Sequence, residues 1–171
     1  MTSNHGLNSD GFTLAQFLPL WHTAMWQAVD PAERARLTLE LGRARVREQS
    51  VQDTLLVAFS PKKDPPFTMM PLDAVPSPES GALRLKVCQR LAEIAATEVY
   101  VLLTQQAASQ TGPPSYVLTS WAEDLEGEQI CWMQAFRYKN GGIEEAPPFF
   151  APKASETAVN RRLAGLLTPL H

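Results

Sequence analysis

Between Gln129 and Tyr138 the chain alternates: Ile130, Trp132, Phe136 and Tyr138 share one parity with Gln134, while Gln129, Cys131, Met133, Ala135 and Arg137 share the other. A period of two marks a strand, and its first face is clearly the bulkier. Turn chemistry bounds it on both sides. Upstream, Asp124 to Glu128 contains Gly127 and follows another strand-like run; downstream, Lys139-Asn140-Gly141-Gly142 is a turn of the kind favoured in tight hairpins. Its outgoing arm meets Pro147-Pro148 within a few residues, which ends it or confines it to a sheet edge. Local turns between successive strands favour an antiparallel meander.

The remaining periodicities add helices. Leu14, Leu18, Trp21 and Met25, widened by Phe17 and Ala24, recur at helical spacing from Thr13 to Val29. Asp30-Pro31-Ala32-Glu33 supplies an N-cap, a first-turn proline and an acid three residues later, so a second helix runs to about Gln49. Thr54 to Ser60 and Phe67 to Leu72 are extended and placed to pair as a hairpin across KKDPP. Ser77-Pro78 opens a third helix with Leu83, Val87, Leu91 and Ile94 on one stripe. Thr97 to Gln105 and Tyr116 to Trp121 are strands, and Ser155 to Leu167 is a closing helix that buries Val159 and Leu163. The order ααββαβββ(β)α implies an α+β domain: an antiparallel β-meander sheet covered by helices, on one face, with an N-terminal helical pair.

A chain of 171 residues with this composition is expected to form a single domain, with residues 1–10 a frayed leader. Its net charge of −3 and pI near 5.6 give no global reason to expect nucleic acid or an anionic membrane as partner. The polar start lacks the basic and apolar regions of a signal peptide, so a cytoplasmic protein is expected. Cys88 and Cys131 are too few and too far apart for a disulfide framework or metal knuckle, and both are expected as reduced, buried thiols.

Motifs for common chemistries are lacking: there is no GxxxxGK, no GxGxxG after a strand, no GxSxG, and no His/Cys cluster. No cofactor and no metal are expected. Three groups of residues nevertheless carry alternatives. His22 is placed for interior chemistry beside its i+4 neighbour Trp26, and with Glu123 and Asp124 it makes the catalytic candidate set; the plainer reading is a histidine resting on an aromatic and a solvated hairpin turn. Arg36, Arg43 and Arg47 lie on the second helix, either facing an acidic partner or pairing with Glu33, Glu40 and Glu48 on a solvated, salt-bridge-laced helix. Trp21, Trp26, Trp121 and Trp132 either line an aromatic ligand pocket or fill the core. The leading expectation is a small, non-catalytic protein-binding module, such as an adaptor, chaperone or inhibitor, that presents a helix face or sheet edge to another protein and has the option of homo-oligomerising. The alternatives are a motif-poor hydrolase-like enzyme using His22 and the hairpin carboxylates, and a small-ligand sensor.

Overall fold

The computed structural model describes residues 6–48, 53–107, 112, 114–153 and 158–167. Two helices, α1 (Leu14–Gln27) and α2 (Pro31–Glu48), precede a hairpin of β1 (Thr54–Phe59) and β2 (Phe67–Leu72). A short 3-10 turn (Pro78–Ser80) leads into α3 (Gly81–Glu93), followed by β3 (Glu98–Ala107), β4 (Ser115–Asp124), β5 (Gln129–Lys139), β6 (Gly142–Glu145), β7 (Phe149–Ala151) and α4 (Ala158–Leu163). The fold is α+β, with an antiparallel sheet in the order β2-β1-β3-β4-β5-β6 and β7 sharing the outer edge of β5 with β6. β3 to β6 form the expected meander. β2 and β3 both run antiparallel to β1, so α3 carries the chain across β1 from one side to the other.

The helices cover both faces of the sheet, not one. Along β1 and β3, Leu55, Val57, Tyr100 and Leu102 face α1 and α2, while Leu56, Ala58, Val99, Val101 and Leu103 face α3 and α4. A strand that is apolar on both parities has no face to give to water, so each side needs its own helical layer. Among the described residues, no helix is long and apolar enough to cross a membrane.

The opening run forms as expected: Ile130, Trp132, Phe136 and Tyr138 pack towards α2, and Cys131 and Met133 towards the other layer. Its two-residue turn, Asn140-Gly141, has positive φ at both positions (51° and 79°), the type I′ geometry that matches strand twist. Pro147-Pro148 interrupts the outer edge between β6 and β7. The β7 pairing with Cys131 to Met133 was not foreseen, because three residues beyond a proline pair carry no periodic signal.

α2 lies across β3, β4 and β5 and is buried along most of its length. Asp30 caps it, accepting from Ala32 N at 2.8 Å, with Pro31 in the first turn. Three sheet side chains donate to its main-chain carbonyls: Ser120 Oγ to Ala35 O, Trp132 Nε1 to Ala32 O, and Tyr138 Oη to Val46 O. The close approach requires Gly42, where a Cβ would lie 2.7 Å from Leu102 Cδ1 and 2.9 Å from Leu118 Cδ1. Gly42→Val is therefore expected to lower stability by about 1–3 kcal/mol through overpacking, read as a shift in urea midpoint. A midpoint equal to wild type would show that the helix does not sit this close.

Residues 7–10, expected to fray, are instead held on α2. Ser9 is buried, its N–H and Oγ donate to Glu40 Oε1, and its carbonyl accepts from Arg47 Nη2 at 2.5 Å. Residues 1–5 lie outside the described residues, as does the first part of the predicted closing helix, residues 155–157.

Candidate functional site

α1 packs against α2 and reaches Phe67 of β2. Phe17, Trp21, Ala24 and Met25 bury one stripe against α2 and the sheet. The opposite stripe, Ala15, Pro19, His22 and Trp26, is exposed, and Trp26 shows 61% of its surface. Leu20 flanks this stripe and Val29, just beyond the helix, is 92% exposed. On β2, Met69 follows Phe67 on the same strand face and is also exposed. Across its 14 residues α1 carries no Asp, Glu, Lys or Arg. A surface helix normally turns Asp, Glu, Lys or Arg to water, so an outward stripe of alanine, proline, histidine and tryptophan is unusual.

The helix is rigidly mounted. At its start Thr13 and Gln16 form a reciprocal capping box, with bonds of 3.1 and 3.0 Å. Leu14 N adds a bond to Glu48 Oε1 on α2. Pro19 sits on the exposed stripe, where the carbonyl of Ala15 that it deprives of a donor is open to solvent, so the helix continues through it. At the other end Arg34 donates to Met25 O and Ala28 O, binds both oxygens of Glu98 at 2.9 and 3.1 Å, and stacks over Phe59. One guanidinium thus ties the end of α1 to the sheet.

The structure places the predicted site residues apart. His22 is exposed on α1 and meets Phe67 of β2 edge-on at 5.8 Å, where the sequence pointed to Trp26. Glu123 is not in a solvated turn: it is the penultimate residue of β4, is buried, and accepts from Gly165 N at 2.8 Å, Leu167 N at 3.0 Å and Gln129 Nε2 at 2.9 Å. It anchors the segment after α4. Asp124 begins the hairpin turn and accepts from the N–H groups of Glu126 and Glu128 through Oδ1. These acids join Asp30, Glu98 and Glu128 around a small cleft of about 150 Å³ at the end of the sheet. Tyr100 in its wall donates to Glu98, and burial, reinforced by that carboxylate, holds its phenol well above the ordinary tyrosine range. Among the described residues no group of three or more His, Cys, Asp or Glu is arranged to hold a metal ion.

The arginines are engaged within the chain, and α2 is not the solvated helix that the charge pattern implied. Arg36 binds Glu33 and Leu7 O; Arg43 binds Glu40, Glu145 and Asp10; Arg47 binds Ser9 O and Asp10. Neighbouring carboxylates raise the Arg36 and Arg43 pKa values, the largest contributions coming from the bonds to Glu33 and Glu145 respectively. The tryptophans do not share a pocket. Trp21 is buried on the α1 and α2 side, Trp121 on the opposite side with Nε1 bonded to Asn160 Oδ1, Trp132 is half-buried against Phe150, and Trp26 faces water. Cys131 is buried and Cys88 half-buried, both as thiols.

Sequence reasoning missed Arg34, Leu20, Val29 and Met69. The signal that would have found the α1 surface is the lack of Asp, Glu, Lys and Arg over the whole helix, together with Trp26 on the side away from Phe17 and Trp21. No family model, curated protein or solved structure matches this chain.

Proposed function

We propose that this chain is a non-catalytic protein-binding module of the adaptor, chaperone or inhibitor type. Its docking surface is the outer face of α1 extended by Val29 and Met69, and its partner is a protein presenting an uncharged, apolar surface. The observation that carries this reading is the uncharged, aromatic outer stripe of a rigidly mounted helix. Rigid mounting lowers the ordering cost of binding, and an exposed tryptophan is the side chain most able to anchor an interface.

Other modes have less support. Pairing through a sheet edge is hindered at β2 by Pro71, which has no N–H to offer, and at the other edge by short strands around Pro147-Pro148. Helices that lie on membranes carry Lys and Arg on their polar side, and α1 has neither. A catalytic role for His22 with the hairpin carboxylates finds no support in the geometry, because Glu123 and Asp124 are committed to backbone donors.

The test is a photo-crosslinking residue at Trp26 in the native host, with the same residue at exposed Glu93 as control. Adducts to a distinct protein at position 26 alone, persisting at high salt, are expected, because an interface without charge is not weakened by screening. With the crosslinker kept at position 26, Leu20→Glu with Met69→Glu should remove them while leaving stability within about 0.5 kcal/mol, as surface substitutions do. Adducts only to a second copy would make α1 a dimer interface instead, and adducts at Glu93 but not at position 26 would sink the proposal.

A further inference from the structure

On the opposite side of the molecule, α3 and the segment after α4 enclose a groove of about 630 Å³. Gly81, Leu85, Cys88 and Ala92 recur along one side of α3 at helical spacing, and Ala164 and Gly165 form the facing wall. Small residues on both sides leave the space between the two walls unfilled, and the lining is apolar apart from Arg84 and Gln89. Cys88 is part of this lining, and burial pushes its thiol up, which disfavours the reactive thiolate.

Arg84 is the unusual member. It donates through Nη1 to Pro76 O at 2.8 Å and Arg162 O at 3.1 Å, and through Nη2 to Ala164 O. All three acceptors are main-chain carbonyls, which orient the guanidinium without cancelling its charge. Among the described residues no carboxylate pairs with it. Glu123, the acid whose field reaches Cys88 along with that of Arg84, is committed to Gly165 N, Leu167 N and Gln129 Nε2. A guanidinium has five donors, so Nε–H and one Nη2 hydrogen remain, as many as one carboxylate accepts.

We propose that this groove binds a small amphiphilic carboxylate, with the acid group on Arg84 and an alkyl tail along α3. From Arg84 to Ala92 the helix rises ~12 Å at 1.5 Å per residue, the run available to the tail. The groove volume falls in the ordinary range of small-ligand sites, and an apolar tail gains by leaving water while a fixed cation selects its head. The proposal is independent of the α1 surface, which lies on the other face of the sheet.

Decanoate, decanol and decyltrimethylammonium, each below its aggregation concentration, separate head from tail. Calorimetric titration of the full chain is expected to show saturable one-to-one binding of decanoate, about tenfold tighter than decanol, with no binding of the cation, because a charge-assisted bond adds to the same apolar contact. Ala92→Trp, which fills the exposed end of the groove, should weaken decanoate by at least about tenfold at unchanged melting temperature. Arg84→Gln should reduce decanoate to the affinity of decanol; if that variant fails to fold, the head-group series on the wild-type chain decides. Equal affinity for decanoate and decanol, undiminished binding to Ala92→Trp, or no saturable binding would each overturn the assignment.

Discussion

Replacing Arg43 by alanine is expected to cost about 3 kcal/mol of folding stability, at the lower end of what breaking a buried ion pair costs. Its guanidinium binds Glu145 through two bonds of 2.6 and 2.9 Å and Glu40 through one of 2.6 Å, and the side chains of all three are between 10 and 19% exposed. Removing the cation leaves two carboxylates close together and poorly solvated, and loosens residues 9 and 10, which depend on Glu40 and Arg43. The contact with Asp10 adds little, because that carboxylate is 64% exposed. Arg43→Lys keeps the charge but loses the two-pronged contact, so an intermediate loss is expected. Urea unfolding of the three chains is the measurement, and a loss under about 1 kcal/mol for Arg43→Ala would mean that water screens the network. Reversing Arg36, Arg43 and Arg47 to glutamate, which the charge pattern alone suggests as a docking test, would therefore report on folding and not on a partner.

Trp121→Ala is expected to be the most damaging single truncation, at about 3–5 kcal/mol, and to reduce soluble accumulation. Trp121 is fully buried in the middle of β4, between the sheet and α4, and its Nε1 donates to Asn160 Oδ1 at 3.0 Å. Truncation opens a cavity under α4 and leaves the buried Asn160 oxygen without its donor. Trp121→Phe loses the hydrogen bond but keeps an aromatic ring, so it opens a much smaller cavity than Trp121→Ala. It should cost less, yet free α4 enough to speed tryptic cleavage at the exposed Arg161 and Arg162. Unchanged cleavage in Trp121→Phe would show that packing alone, without the bond to Asn160, holds the closing helix.

Much of the fold was legible because its signals are local. The alternation of β5, the Asn140-Gly141 turn, the Asp30-Pro31 helix start and the apolar stripes of α1 and α3 each depend on residues within one or two turns of one another. The two-sided burial was also present in the text, in the unbroken apolar run of β1, but such a run does not say what covers each face. β7 left no trace, being three residues long and stabilised by its pairing with β5.

The candidate sites were less legible, because charge and aromaticity in a sequence do not record their partners. Arg43 and Glu145 are 102 residues apart, and Glu123 meets Gly165 and Leu167 across 42 and 44 residues. A carboxylate beside a turn looks solvated until the chain returns over it, and a row of arginines looks like a surface until residues 7–10 are docked on it. By itself the sequence determined the class of fold, the order of its elements and the uncharged character of α1, all of which follow from short-range periodicity and composition. Only the tertiary structure decided which charges are consumed internally, which of the four tryptophans faces water and where a groove opens beside an arginine that pairs with no carboxylate among the described residues, because burial and pairing are set by contacts between segments distant along the chain.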